Sequence, residues 1–201
     1  MKEKIIEIAL QQFLKHGIRK MTVQKLTGPL GVSTKTVYNF FNNKEELLKH
    51  CLLKHYSSLA KEFEATKNEG SSPVITMSKI WHKAIEVDFG VNHIFYHDLN
   101  YYYPQLQDAV LHKYFKKNIT LLEQLVDTGI KQGYLRNDIT RALVPVMINV
   151  IYSSITRTDQ FKKYKLTTKA LMQNTIEAYL RGICTEKGLK EIEKNYLFIT
   201  K

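Results

Sequence analysis

Apolar residues recur three and four apart along nearly the whole chain, the spacing of amphipathic helices, and the period-two alternation of strands is not seen. Ile5, Ile6, Ala9, Leu10, Phe13 and Leu14 share one face of a helix over Lys2 to His16, and Gly17 stands where a left-handed residue ends it. Thr22 is a helix-capping residue ahead of Val23 and Leu26, and Gly28, Pro29 and Gly31 close that segment after about two turns. Ser33 caps a third short helix, Thr34 to Phe40, with Val37, Tyr38 and Phe41 toward its end. Asn43 then caps a fourth, in which Leu47, Leu48, Cys51, Leu52, His55, Leu59 and Phe63 keep a helical stripe for about five turns.

The segment from Lys67 to Pro73, with Asn68, Gly70, Ser71 and Ser72, is the clearest break in composition and the expected boundary. Beyond it the pattern predicts helices over Ile75 to Phe89 and Asn92 to Leu99, then a long one from Pro104 ending at Gly133. Asp138 is expected to cap a helix over Ile139 to Arg157, Thr167 or Thr168 opens another to about Thr185, and a tail helix spans Leu189 to Ile199. The expected class is all-α. Residues 1–46 form a three-helix N-terminal domain, 47–72 a connecting helix and loop, and 73–201 a larger helical domain.

Composition sharpens this picture at two points. The 201 residues include 30 Lys and Arg against 19 Asp and Glu, a formal net charge of +11. The excess is unevenly placed: from Ile8 to Lys44 there is no acidic residue, while Lys15, Arg19, Lys20, Lys25, Lys35 and Lys44 are positive. Two cysteines, Cys51 and Cys184, are too few for a disulfide framework and lack the spacing of a zinc or redox motif. With no apolar leader in the first ten residues and no bilayer-length apolar run, the expected setting is the cytoplasm, away from the membrane.

Two short helices joined by a tight glycine turn and preceded by a longer packing helix make a helix-turn-helix, whose second helix enters the major groove of DNA. The acid-free stretch lies over that unit, as contact with phosphates requires. The residues Gly17, Thr22 with Leu26, Gly31-Val32-Ser33, Thr36-Val37-Tyr38, Phe40-Phe41 and Lys44-Glu45-Glu46-Leu47-Leu48 resemble the N-terminal pattern of the TetR family of bacterial transcriptional regulators. The match is close over roughly the first 50 residues. Thr27 departs from the family's usual alanine, Lys35 from a frequent glycine, and Pro29 from a helix former, so that helix two is expected to be shortened or bent.

The resemblance implies that Gln24, Thr34, Lys35, Tyr38 and Phe40 face double-stranded DNA and that Lys44 meets phosphate, with Thr22, Thr36 and Asn39 as secondary candidates. Their chemistry agrees, since Gln24 can pair with an adenine edge, Thr34 and Lys35 can reach bases, and Tyr38 can donate to phosphate. Thr22 and Ser33 are equally well explained as caps.

The C-terminal part calls for a different role. Leu143, Val144, Val146, Met147, Ile148, Val150, Ile151, Tyr152 and Ile155 surround one helix, which therefore needs covering on every side. Leu171, Ile176, Ala178, Tyr179, Leu180 and Ile183 likewise lie on more than one face of the last major helix, where an intradomain core would also account for them. A homodimer through these two helices, reading a palindromic operator, is both an explanation and what the resemblance implies. Aromatics crowd between Phe89 and Tyr103, namely Phe89, Phe95, Tyr96, Tyr101, Tyr102 and Tyr103. With Trp81, Ile85, Leu122, Met147 and Ile151 they are candidates to line a site for a small, mainly apolar ligand.

No cofactor is expected, and no metal. His93 and His97 lie four apart beside Asp98, but no further ligand is recognisable. Cys51 and His55 share a face without a third, orienting group. With no nucleophile elbow, P-loop or dinucleotide fingerprint, an enzyme is not expected. The alternative reading is a helical ligand-binding or protein-interaction module that has lost sequence-specific DNA binding, for which Pro29 is the best support.

Overall fold

The computed structural model describes residues 1–199, with side chains throughout except at 111–113, 115–117 and 196–199. Its helices are α1 (Lys2–His16), α2 (Val23–Leu30), α3 (Thr34–Tyr38), α4 (Lys44–Lys67), α5 (Pro73–Phe89), α6 (His93–Tyr102), α7 (Pro104–Lys131), α8 (Leu143–Thr156), α9 (Thr168–Asn174), α10 (Ile176–Ile183) and α11 (Glu186–Ile199). Among the described residues, the nearest thing to a sheet is a single isolated bridge between Leu135 and Cys184. The fold is all-α.

Two compact units divide the chain. The first comprises Met1–Ala60 and Val91–Phe115, the second Lys61–Gly90 and Lys116–Lys201. The composition break at 67–73 does fall in the loop between α4 and α5, yet the segment 91–115, expected with the C-terminal domain, clusters with the N-terminal helices. The reason is burial. Phe95, Tyr96 and Leu99 of α6 share one apolar core with Phe13 of α1, Val37 of α3, Phe41, and Leu48 and Leu52 of α4.

In the second unit α5 is the helix that the others pack on: α8, α9, α10 and α11 all contact it. Its buried face, Met77, Ile80, Trp81, Ala84 and Ile85, meets a core that includes Ile148, Ile155, Leu171, Ile176 and Leu180.

Among the element boundaries set against the expected ones, three are informative. Asp138 caps nothing: its carboxylate takes both prongs of Arg136, at 2.9 and 2.7 Å, and α8 begins only at Leu143. The helix expected from Thr167 to Thr185 is broken at Thr175, where φ is −128° and ψ −94°, into α9 and α10. Pro29 does not cut α2 short, because it sits next to the end, where the helix still closes through the Gly31 amide bonding to the Thr27 carbonyl at 2.9 Å.

Candidate nucleic-acid interface

Helix α2, the turn and α3 are fixed by local chemistry. The Thr22 hydroxyl accepts the Lys25 amide at 3.2 Å, and the Ser33 hydroxyl accepts the Thr36 amide at 3.1 Å, so each short helix has a side-chain cap. Gly31, at φ 64° and ψ 31°, makes the left-handed turn between them. At the start of α4, Asn43 accepts the Glu46 amide at 2.8 Å while the Glu46 carboxylate accepts the Asn42 amide at 2.7 Å, a reciprocal pair that stops α3 and starts α4. Leu26, Val37 and Phe41 point into the core and set the rotation of both short helices.

What remains faces outward. Gln24, Lys25, Lys35 and Asn39 are exposed, Thr34 is half-buried, and Tyr38 and Phe40 are 51% and 37% exposed. Two adjacent exposed aromatics cost hydration free energy unless something covers them. Lys15, Arg19, Lys20, Lys25 and Lys35 are all exposed in this acid-free stretch, so the surrounding potential is positive.

Three of the residues expected at DNA are used internally. Thr22 is a cap, and the Thr36 hydroxyl lies 2.9 Å from that of Ser33. Lys44 is half-buried: its ammonium donates to the Ile18 carbonyl at 2.6 Å and lies 5.9 Å from the centre of the Phe13 ring. Burial holds its pKa below the usual lysine value, with the charge of Asp98 partly opposing. Thr27, in place of alanine, turns its hydroxyl back to the Gln24 carbonyl at 2.6 Å, which satisfies it within the helix.

The residues expected around a ligand are dispersed. Trp81, Ile85 and Leu122 are buried in the second unit, where Phe89 and Ile151 are half-buried. Met147 instead lies on the outer face of α8, beside Leu143, Val146 and Val150, because Val144, Ile148 and Tyr152 occupy the inner face. Phe95 and Tyr96 belong to the core of the first unit, and Tyr102 lies against Arg19 there. A cleft of about 440 Å³ in the second unit is lined by none of these residues. Its walls carry Glu62, Glu69, Lys79, His82, Lys83 and Glu86, which pair among themselves as Lys79–Glu69 at 2.6 Å, His82–Glu86 at 3.2 Å and Lys83–Glu62 at 3.6 Å.

His97 is largely exposed, 3.7 Å from Asp98, and among the described residues no group of three or more His, Cys, Asp and Glu is placed to hold a metal. Burial pushes the Cys51 thiol pKa far up and Sγ donates to the Ile6 carbonyl at 3.4 Å, the opposite of an activated nucleophile. Sequence reasoning missed the residues that hold the α1–α2 turn from α6, namely Asn92, Asp98 and Tyr102. The available signal was Asp98 itself, a carboxylate embedded between Phe95, Tyr96 and Leu99.

Residues 5–51, which span this interface, match the family described as "Bacterial regulatory proteins, tetR family". Over 142 residues, 67% of this chain and 72% of the relative, the sequence is 25% identical to the HTH-type transcriptional regulator YhgD of Bacillus subtilis. The chain is thus similar to the TetR family through its N-terminal helix-turn-helix segment. It is accordingly a DNA-binding transcriptional regulator with an N-terminal helix-turn-helix.

Solved TetR-like structures share its fold at low identity. The regulator FadR from Bacillus subtilis, determined in complex with stearoyl-CoA, superposes with a TM-score of 0.74 at 20% identity, covering 91% of this chain and all of that one. The ketosteroid regulator KstR2 of Mycobacterium tuberculosis gives 0.69 at 19% identity, covering 92% and 95%. No helix among the described residues of this chain is long and apolar enough to cross a membrane.

Proposed function

We propose that this TetR-family protein is a ligand-responsive repressor that binds a palindromic operator as a homodimer. The observation that carries the DNA-reading half is the exposed face of α3, where Lys35, Tyr38 and Phe40 stand in solvent within an acid-free stretch of the chain. Gln24 and Thr34 read base edges, Lys35 adds a donor beside them, and Tyr38 serves a phosphate, while Lys44, held on the Ile18 carbonyl, adds charge from behind. The continuity of α2 through Pro29 removes the main support for a module that has lost DNA binding.

The dimer reading rests on α8. Leu143, Val146, Met147 and Val150 repeat at helical spacing and are 41–54% exposed, an apolar stripe that a second copy would cover. Helix α10, packed on α8, adds exposed Ala178 and Gly182, small enough for backbones to approach closely. Two-fold pairing of these faces brings α8 against α8 and gives two recognition helices, whose half-sites would lie about 34–36 Å apart.

For the ligand, the interior of the second unit offers Trp81 and Ile85 with half-buried Ile151. The Trp81 ring centre is 5.2 Å from that of Tyr152, whose hydroxyl donates to the buried Asp88 carboxylate. The Trp81 indole N–H is buried with no hydrogen-bond partner among the described residues, and such a donor calls for an acceptor. A small, mainly apolar molecule with one acceptor group would supply it.

The test is selection of bound duplexes from a random library by the purified protein, with Lys35→Ala and Tyr38→Ala beside it. A two-fold symmetric motif, weakened by both substitutions, is expected. Failure to enrich any motif by a folded protein would reject operator binding.

A further inference from the structure

The turn between α1 and α2 is gripped from α6 at successive points. The Asn92 amide donates to the Leu14 carbonyl at 2.9 Å, and the Asn92 side chain donates to the Lys15 carbonyl at 3.1 Å, capping the end of α1. Nearly two turns further along α6, the Asp98 carboxylate, only 4% exposed, accepts the Arg19 amide at 2.7 Å. The carbonyl of that same peptide group, on Ile18, takes the Lys44 ammonium. A single peptide unit is thus held at its oxygen by a cation and at its N–H by an anion, two charge-assisted bonds that fix its plane. The direction in which the Arg19 side chain leaves the backbone is fixed with it.

Arg19 then meets Tyr102, at the end of α6. Its guanidinium carbon lies 4.9 Å from the ring centre, and Nη1 donates to the phenol oxygen. Arg136, Arg141 and Arg181 each pair with a carboxylate, Asp138, Asp127 and Glu177 respectively. Among the described residues no carboxylate pairs with the Arg19 guanidinium. A phenol and a ring face orient the planar fork without neutralising it, so its full charge and remaining N–H groups stay available on an exposed side chain. Arg19 also stands three residues before the cap of α2, next to exposed Lys20, in the acid-free stretch.

We infer that Arg19 contacts a DNA phosphate outside the recognition helix, and that Asp98 and Tyr102 of α6 are the positioning residues that aim it. The inference rests on the DNA-binding reading, and it gives α6 a part in DNA affinity that acts through Arg19. Phosphate contacts set register and affinity for any sequence, so the effect falls equally on specific and random duplex.

The experiment measures dissociation constants for the selected operator and for random duplex across a series of salt concentrations. The proteins are wild type, Arg19→Ala, Tyr102→Phe, the double variant, Asp98→Ala and Asp98→Asn. Arg19→Ala is expected to weaken both duplexes about tenfold and to lower the salt slope by about 0.9 for each arginine, roughly 2 per dimer. Tyr102→Phe keeps the ring and the fold but loses the acceptor. It is expected to weaken binding a few-fold in wild type and not at all in the Arg19→Ala background. Asp98→Asn, which keeps an acceptor for the Arg19 amide, should restore most of what Asp98→Ala loses.

An unchanged salt slope in Arg19→Ala would overturn the phosphate contact. A Tyr102→Phe loss that persists undiminished without Arg19 would overturn the positioning role, whether or not Asp98→Ala folds. Absence of any preferred operator would fail the regulator reading alone, since the slope on random duplex still tests Arg19.

Discussion

Gly17 shows how tightly the end of α1 is built against α6, and alanine there is a direct probe. Its φ of 82° and ψ of 166° lie where side chains with a Cβ are strained, at about 1–3 kcal/mol. A Cβ would also stand 2.7 Å from Ile94 Cγ2 and 3.1 Å from Asp98 Oδ2, an overpacking that adds about 1–3 kcal/mol. The sum, roughly 2–6 kcal/mol, corresponds to a thermal midpoint about 4–24 °C lower for a chain of this size. Two other glycines separate the terms. Gly31, at φ 64° with nothing within 4 Å of where a Cβ would stand, carries only the backbone penalty of about 1–2 kcal/mol. Gly28, helical with open space around it, should gain about 0.5–1 kcal/mol on becoming alanine. Thermal unfolding of the three variants, with hydrogen exchange reporting the amides of α1 and α6, reads the series. If Gly17→Ala costs no more than Gly31→Ala, the close approach of α6 to this turn is not a packing constraint and the reasoning fails.

Other outcomes follow from the same contacts. Ser33→Ala removes the only side-chain cap of α3 and should cost about 1 kcal/mol by chemical denaturation; operator affinity should fall with it, and Ser33→Asp, which keeps a cap, should preserve stability while losing affinity to phosphate repulsion. Val150→Glu puts a charge in the middle of the α8 stripe and should shift the protein to monomer in sedimentation, leaving helix content by circular dichroism unchanged. Burial raises the thiol pKa of Cys51 far above that of a free cysteine and that of Cys184 to about 11, so at pH 8 both are protonated; a disulfide-exchange reagent should label them slowly when native and rapidly in denaturant, Cys184 first.

The N-terminal unit was legible because its signals are local. Caps at Thr22, Ser33 and Asn43, the turn glycine Gly31 and the apolar spacing of α1 and α4 each act within a few residues, and the structure uses each of them as read. The C-terminal half was less legible for the same reason. The break at Thr175 and the late start of α8 have no local stop signal, since Thr175 sits in an apolar-periodic stretch and Asp138 looks like a cap until Arg136 claims it. Aromatic density between Phe89 and Tyr103 suggested one ligand site, but density along the chain does not say which way residues point. Phe95 and Tyr96 turn into the core with α1, Tyr102 to Arg19, and Tyr101 outward, where it stacks on His97.

The structure also narrows which side chains are left to read DNA. A hydroxyl that accepts a capping amide has one lone pair committed and its direction fixed by the helix end, so Thr22 and Ser33, with Thr36 beside Ser33, set the geometry of α2 and α3 first. Lys44, drawn in by the Ile18 carbonyl, contributes its charge from behind. In the proposed reading, base contacts fall to Gln24, Thr34, Lys35 and Asn39, flanked by Tyr38 and Phe40. Of these, Phe40 has no polar atom beyond the backbone, yet it is left exposed next to a core that already holds Phe41. The groove feature that an exposed phenyl ring recognises is the thymine methyl group, which it covers without a hydrogen bond. The operator should accordingly carry a thymine at the position facing Phe40, and Phe40→Ala should relax preference there while leaving the salt slope alone, whereas loss of a phosphate contact lowers the slope and leaves the preference alone.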